Sequence, residues 1–253
     1  MRILITGAAG NIGRIATGEL DRDHSLVLLD RRRVRGRSSV VGDLSSEPAS
    51  SRRGRGPGWD AAFEKVDVVL HLAAVLHPIS FRHDGWDLIR RSNIDATWNV
   101  LSAASRHRVP KVVFGSSGWA IRAIDNEQER TGEDQAGIGS DVLPRPLMTY
   151  GLSKAFGEIT GRMFVDEGRL RSFIAIRIGF CPSHGRVPGN AWLRKRWIGV
   201  DDMASLLRRC VEADVEGYHV VYGVSRQDSP YDLTHTRHLL DWHPEQGAEA
   251  GPG

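Results

Sequence analysis

Along this chain, short apolar runs bounded by turn residues alternate with longer amphipathic stretches, the pattern of repeated strand–helix units feeding a parallel sheet. The runs predict strands at 2–6 "RILIT", 26–30 "LVLLD", 39–41 "SVV", 67–72 "DVVLHL", 111–116 "KVVFGS", 172–177 "SFIAIR" and 219–222 "HVVY". Apolar residues at helical spacing predict helices over about 11–20, 86–107, 147–168 and 201–213. The second closes ahead of Pro110, which blocks continuation, and the last opens with Asp201 and Asp202, acids that favour a helix dipole at its first turn. The segment 45–58, rich in Ser, Arg, Gly and Pro, has no periodicity and reads as a mobile surface loop; it is no linker, because the alternation resumes in phase beyond it. The last stretch, 246–253, reads as a disordered tail. No internal repeat is visible. A single α/β domain over 1–253 follows, doubly wound, with helices on both faces of the sheet.

A length of 253 residues with 40% apolar content is enough to bury a full core in one domain. No run approaches the apolar length that spans a bilayer, and the chain enters a strand at once without a charged leader, so a soluble, cytoplasmic protein with no membrane partner is expected. Cys181 and Cys210 are far apart, with no metal-type spacing, and read as reduced thiols; no metal site is expected. The net charge is +3, and the arginines bunch at 31–37, 52–55 and 194–196. Such clusters attract phosphate or carboxylate or simply form solvated faces, the commoner case. They lack the aromatic interleaving or helix-turn-helix pattern of a nucleic-acid module, so no nucleic-acid partner is expected.

The loop "ITGAAGNIGR" (5–14) follows a strand and opens a helix, with Gly7, Gly10 and Gly13 at three-residue intervals. So tight a turn needs positive φ, and a pyrophosphate reaches helix amides only where no side chain intrudes. A strand ending in Asp30 follows seventeen residues after Gly13, near the interval for a carboxylate on the adenosine ribose. Asp30 argues for NAD, since it accepts from the 2′-hydroxyl and repels a 2′-phosphate; Arg31 and Arg32 argue for NADP, or stack on adenine, or face water. NAD is the expected cofactor and NADP the alternative. The fold is then a Rossmann-type parallel sheet, with about 1–177 as the dinucleotide-binding core and about 178–245 as a small substrate-side lobe.

In "MTYGLSKAFGE" (148–158), Tyr150 and Lys154 share one helical face. A phenol with a pKa near 10 is a poor base at neutral pH. An ammonium about 4 Å away, at an effective dielectric of about 20, supplies about 4 kcal/mol, enough to bring the phenol near 7. Ser116 or Ser117, at the end of the preceding strand, then holds the substrate oxygen between itself and the phenol. Alone, a Tyr-x-x-x-Lys is an ordinary helix pair; behind a glycine loop, a downstream acid and a serine pair it reads as a general acid/base.

The stretches "TGAAGNIG" (6–13), Asp30, "GDL" (42–44), "HLAA" (71–74), "SNIDATWNVLSAA" (92–104), "FGSS" (114–117), "YGLSK" (150–154) and "RIG" (177–179) resemble the extended short-chain dehydrogenase/reductase superfamily, in its epimerase/dehydratase-like branch, over nearly the whole chain. The resemblance implies that Asp43 and Leu44 flank the adenine and that Leu72, Ala73 and Ala74 line the dinucleotide path. Asn11, Ile12, Arg31, Asn93, Ser116 and Ile178 join the glycines and Asp30 as cofactor contacts, Asn93 from the helix facing the active site. Ser117, Tyr150 and Lys154 are implied as the catalytic trio, Tyr150 and Lys154 also touching the cofactor.

Within that superfamily, "YGLSKAFGE" (150–158), "RIGFCP" (177–182), "WIGVDDMASLLRRC" (197–210) and "LLDWHPE" (239–245) are similar to uronate dehydrogenases. Substrate contacts are implied at Leu76, Ser117, Gly118, Trp119 and Phe180, with Arg186 or Arg194 as a carboxylate anchor and Trp192 as a further pocket wall. Gly118, Trp119, Phe180 and Leu76 stand where those enzymes carry polar residues, so a polyol loses partners and an apolar face gains them. Relatives that dimerise through two long helices make 86–107 and 147–168 the expected interface of a homo-oligomer.

The function expected from these residues is an NAD(P)-dependent oxidoreductase that moves a hydride between nicotinamide and a secondary alcohol or ketone of a small cyclic, sugar-derived molecule. The alternative is a redox-neutral epimerase that recycles tightly bound NAD. A dehydratase is disfavoured, because "SSGWAI" (116–121) offers no acid beside the serine, and a mere dinucleotide sensor is disfavoured by the retained Tyr-Lys pair.

Overall fold

Seven strands form one sheet in the order β3-β2-β1-β4-β5-β6-β7 in the computed structural model, which describes residues 1–46, 58–76, 85–131, 137–183, 185–226 and 228–247. The strands are β1 (Arg2–Thr6), β2 (Ser25–Asp30), β3 (Val40–Val41), β4 (Val68–His71), β5 (Lys111–Ser117), β6 (Ser172–Ile178) and β7 (Gly217–Gly223). Every neighbouring pair is parallel. All seven expected strands are present, with ends displaced by no more than two residues.

The helices are α1 (Asn11–Leu20), α2 (Trp86–Ile89), α3 (Ala96–Arg106), α4 (Arg122–Thr131), α5 (Thr149–Asp166), α6 (Ala191–Lys195), α7 (Val200–Glu212) and α8 (Thr234–Leu240). Strand residues alternate between two cores. Ile3, Ile5, Ile174 and Ile176 meet Leu20 of α1 and Leu206 of α7 on one face, while Leu4, Val69 and Phe173 meet Val100 of α3 and Phe164 of α5 on the other. Each fully buried side chain of this size contributes about 1.5–3 kcal/mol, which is why strands covered on both faces are apolar at nearly every position.

Three expectations change on contact with the structure. The helix expected over 86–107 is interrupted by a π-helical segment, Arg90–Asp95, between α2 and α3. Part of the expected 178–245 lobe belongs to the main sheet: β7 pairs with β6 along its whole length, and α7 packs on α1. Gln246, expected in the tail, is instead held in place: its side-chain oxygen accepts from the amides of Asp201 and Asp202 at 3.1 and 3.3 Å and so caps α7. Residues 248–253 and most of the expected 45–58 loop lie outside the described residues.

Helix α5 rides close on the sheet through Gly157 and Gly161. A Cβ at Gly157 would come within 2.3 Å of the Phe114 ring, and one at Gly161 within 2.2 Å of the Phe173 ring.

Candidate active site

The chain leaves β1 for β2 on one side and returns as β4 on the other, which opens a crevice at the carboxyl ends of the strands. Gly7 turns the chain there with φ +71, and a Cβ on it would stand 2.6 Å from the Ala73 amide nitrogen. A Cβ on Gly13 would stand 2.2 Å from the Gly7 carbonyl oxygen. Gly10 is the N-cap of α1 and supplies no side-chain acceptor, so the first-turn amides of that helix remain open to an anion.

Asp30 sits at the far end of this cradle, its Oδ2 accepting from the Ala9 amide at 3.0 Å and its Oδ1 from the Arg32 amide at 2.9 Å. These two bonds aim the carboxylate without using all its lone pairs. Arg31, Asp43, Leu44, Leu72, Ala73 and Ala74 line the same end of the crevice, joined by Arg32, Ser45 and Val75. The residues present fit a dinucleotide: a glycine cradle that any Cβ would fill, an uncapped helix N-terminus, and a carboxylate at ribose distance along the cleft.

His71 holds the Ala73 loop in place from below. Its Nδ1 pairs with Thr6 Oγ1 at 2.7 Å, its Nε2 pairs with Thr97 Oγ1 at 3.1 Å, and Thr6 Oγ1 also accepts from the Ala73 amide at 3.3 Å. Burial, helped by the charge of Lys154, pushes the imidazole down to about 3, so it is neutral.

At the inner end, Asn11, Ile12, Gly13, Ser116, Ser117, Tyr150, Lys154 and Ile178 line one continuous hollow. The Asn11 amide donates to the Cys181 carbonyl at 3.0 Å and ties α1 to the segment after β6. Ser116 turns its hydroxyl away, donating to the buried Glu158 at 2.6 Å, and Glu158 is paired with the buried Arg177 at 2.9 Å. This leaves Ser117 as the serine facing the phenol. It accepts from the Trp119 amide at 3.3 Å, and it hydrogen-bonds Tyr150.

Lys154 donates to the Gly115 carbonyl at 2.7 Å, with its nitrogen 5.6 Å from the centre of the Tyr150 ring. The expectation that the ammonium alone brings the phenol near neutrality does not hold in this fold. Burial pushes Tyr150 up to about 12, opposed by the Ser117 hydrogen bond, and burial pushes Lys154 down to about 8, opposed by Glu158. The cause is desolvation: both groups are buried, and both charged forms lose water.

A cavity of about 280 Å³ continues past Ser117, walled by Leu76, Trp119, Ile178, Phe180, Trp192 and Leu193. Phe180 is fixed by a bridge to Trp197, its amide donating to the Arg196 carbonyl at 2.6 Å. Gly118 lines the cavity but contributes room, since a Cβ there would stand 2.4 Å from the Tyr231 hydroxyl.

Three expected contacts are absent from these linings. Asn93, in the π-helical segment, instead pins the Val75 backbone, accepting from its amide at 2.8 Å and donating to its carbonyl at 3.2 Å. It also donates to Ser153 Oγ, which donates to the Tyr150 carbonyl at 2.7 Å, so it positions the two walls of the cleft. Arg186, on the segment after β6, and Arg194, which donates to the Pro188 and Gly189 carbonyls at 3.3 and 3.1 Å, lie outside the residues that line the cavity. Arg122, Asp125 and Tyr231 are also in the cavity wall and carry no local motif, and Arg196 is marked only by the basic run 194–196; the return of α8's leading segment and α6 to the strand ends gathers them.

The model of the NAD dependent epimerase/dehydratase family matches residues 3–179. The chain is 30% identical to L-arabinose 1-dehydrogenase (NAD(P)(+)) of Haloferax volcanii, over 98% of this chain and 97% of that one. It is 30% identical to uronate dehydrogenase of Agrobacterium fabrum, over 98% and 86%. A mutant uronate dehydrogenase from Agrobacterium tumefaciens, solved in complex with NAD, superposes with a TM-score of 0.78 at 29% identity, over 98% of this chain and 86% of that one. The chain therefore belongs to the NAD dependent epimerase/dehydratase family, and it is an oxidoreductase whose cleft is built for NAD.

Proposed function

We propose that this chain is an NAD-dependent dehydrogenase of a small, sugar-sized ring, exchanging a hydride at a ring carbon that is a secondary alcohol in one direction and a ketone in the other. The observation that carries the proposal is the Tyr150 hydroxyl, hydrogen-bonded to Ser117 at the junction of the cofactor hollow and the cavity beyond it. Relatives that act on arabinose and on uronates support the substrate size.

When bound, NAD supplies the hydride acceptor. Ser117 orients the carbinol oxygen toward the phenol, with its own position held by the Trp119 amide. Tyr150, at the first turn of α5, takes the hydroxyl proton in oxidation and returns it in reduction; the amide end of the helix favours its anion. Lys154 spends one of its three donors on Gly115, which leaves two for a ribose hydroxyl and for stabilising the phenolate across the ring. Trp119 and Phe180 shield from water the carbon that reacts.

Tyr150→Phe tests the assignment. It keeps NAD affinity within a few-fold by calorimetry and lowers kcat by about 100-fold or more, the usual scale for a lost general acid/base. Undiminished turnover ends the proposal. The same reading includes a cytoplasmic enzyme that works as a homodimer, supported by free cysteines and by exposed Trp98, Leu152 and Ile159 on α3 and α5.

A further inference from the structure

The charged residues that line the cavity beyond Ser117 form one closed cluster. Asp125, 1% exposed, receives Arg196 on both oxygens: Nε lies 2.9 Å from Oδ2, and a terminal nitrogen binds Oδ1. Arg122 adds a bond to Oδ2 at 2.8 Å, and the Tyr231 hydroxyl donates to it at 3.4 Å. Arg196 also reaches Glu129 at 2.6 Å and the Trp192 carbonyl at 3.0 Å. Both guanidinium carbons lie 4.2 Å from the Trp192 ring centre, so that indole is held between two cations already matched by two carboxylates.

A ligand carboxylate or phosphate entering here meets no unmatched cation among the described residues of the wall. To gain Arg122 or Arg196 it competes with Asp125 and Glu129 for a cation whose charge is already matched, so the pairing it gains weakens an existing one. Hydroxyls fare little better. Around the cavity the other walls are Leu76, Trp119, Phe180 and Leu193, the hydroxyls of Ser117 and Tyr150 stand together at one end, and the buried Trp192 indole nitrogen, without a hydrogen-bond partner among the described residues, offers one further donor. A sugar hydroxyl pointed at Leu76, Phe180 or Leu193 loses its water without gaining a partner, so a ring with several hydroxyls leaves most of them unmatched.

We propose that the cavity takes an uncharged, sparsely hydroxylated ring, whose alcohol or ketone meets Ser117 and Tyr150 and whose apolar face lies against Trp119 and Phe180. This rests on the dehydrogenase reading and deepens it. It separates this chain from its uronate-oxidising relatives by charge as well as by polarity.

The test compares cyclohexanol and 1-tetralol with glucuronate, galacturonate and L-arabinose on the protein saturated with NAD. Two readouts are taken: NADH formation, and calorimetric binding to the NAD complex. The alicyclic alcohols bind and turn over with kcat/KM about 100-fold above the uronates, the scale on which a buried site rejects a ligand whose polar groups find no partners. Equal or better binding of a uronate or of arabinose overturns the proposal, as does failure of both alicyclic alcohols to bind. Alicyclic binding with no NADH from any alcohol sinks the dehydrogenase reading while the cavity assignment stands. Asp125→Asn unmasks cation charge and shifts the uronate-to-alicyclic ratio of kcat/KM upward by about 10-fold or more. Phe180→Ser shifts it in the same direction and keeps the test available if the first variant does not fold. An unchanged ratio in a folded variant overturns the proposal.

Discussion

At the scale of single residues, the site depends on two buried groups whose ordinarily similar proton affinities are driven apart. Tyr150 lies near 12 and Lys154 near 8, each displaced first by loss of water. If oxidation needs phenolate and ammonium together, that form grows about tenfold per pH unit until Lys154 begins to lose its proton. Above that point the lost ammonium cancels the gained phenolate, because the active form and the fully neutral pair carry the same number of protons. The kcat/KM for oxidation is therefore expected to climb with unit slope from pH 6 to about 8 and then level off through pH 10. Lys154→Met removes the plateau, so its much lower rate keeps climbing past pH 8. A profile flat from pH 6 upward contradicts the pairing.

At the scale of elements, two helices set the distance between substrate and proton carrier. The π-helical turn Arg90–Asp95 rotates Asn93 onto Val75 and Ser153, joining the β4 end of the cleft to the first turn of α5. Helix α5 reaches the sheet only because Gly157 and Gly161 present no side chain to Phe114 and Phe173, both fully buried. Gly161→Ala is the sharper test of this contact. Alanine improves helix propensity by about 1 kcal/mol, but its methyl must displace a ring that has nowhere to move, at about 1–3 kcal/mol. The expected net result is a Tm lower by about 2–6 °C with Tyr150 shifted outward and kcat reduced. A variant with raised Tm and intact activity shows that α5 has slack against the sheet.

At the scale of the whole molecule, the outer faces of α3 and α5 carry Trp98 at 44% exposure, Leu152 at 44% and Ile159 at 62%. A stripe of large apolar side chains on two adjacent helices matches the proposed homodimer, in which the same stripe of a second copy covers it. Sedimentation at micromolar concentration is expected to give a dimer for the native chain and a monomer for Ile159→Glu, with the fold retained. A native chain that sediments as a monomer overturns this. Among the described residues, no helix is long and apolar enough to cross a membrane.

What the sequence determined by itself was local and periodic. Strand positions followed from runs apolar at nearly every residue, because a parallel sheet covered on both faces admits little else. The cofactor cradle followed from the glycines read together with the strand before them and Asp30 after them, and the shared face of Tyr150 and Lys154 followed from a helical interval. Tertiary structure decided what depends on neighbours distant in the chain. It sent the Ser116 hydroxyl to Glu158 and left Ser117 to the phenol, moved Arg186 off the cavity wall, and gave Asn93 a structural task through a π turn. It also gathered Arg122, Asp125, Glu129, Arg196 and Tyr231 from separate segments into one charge-matched cluster. The physical reason is range. Propensity and periodicity act over a few residues, whereas desolvation and charge pairing are set by whatever the folded chain brings alongside.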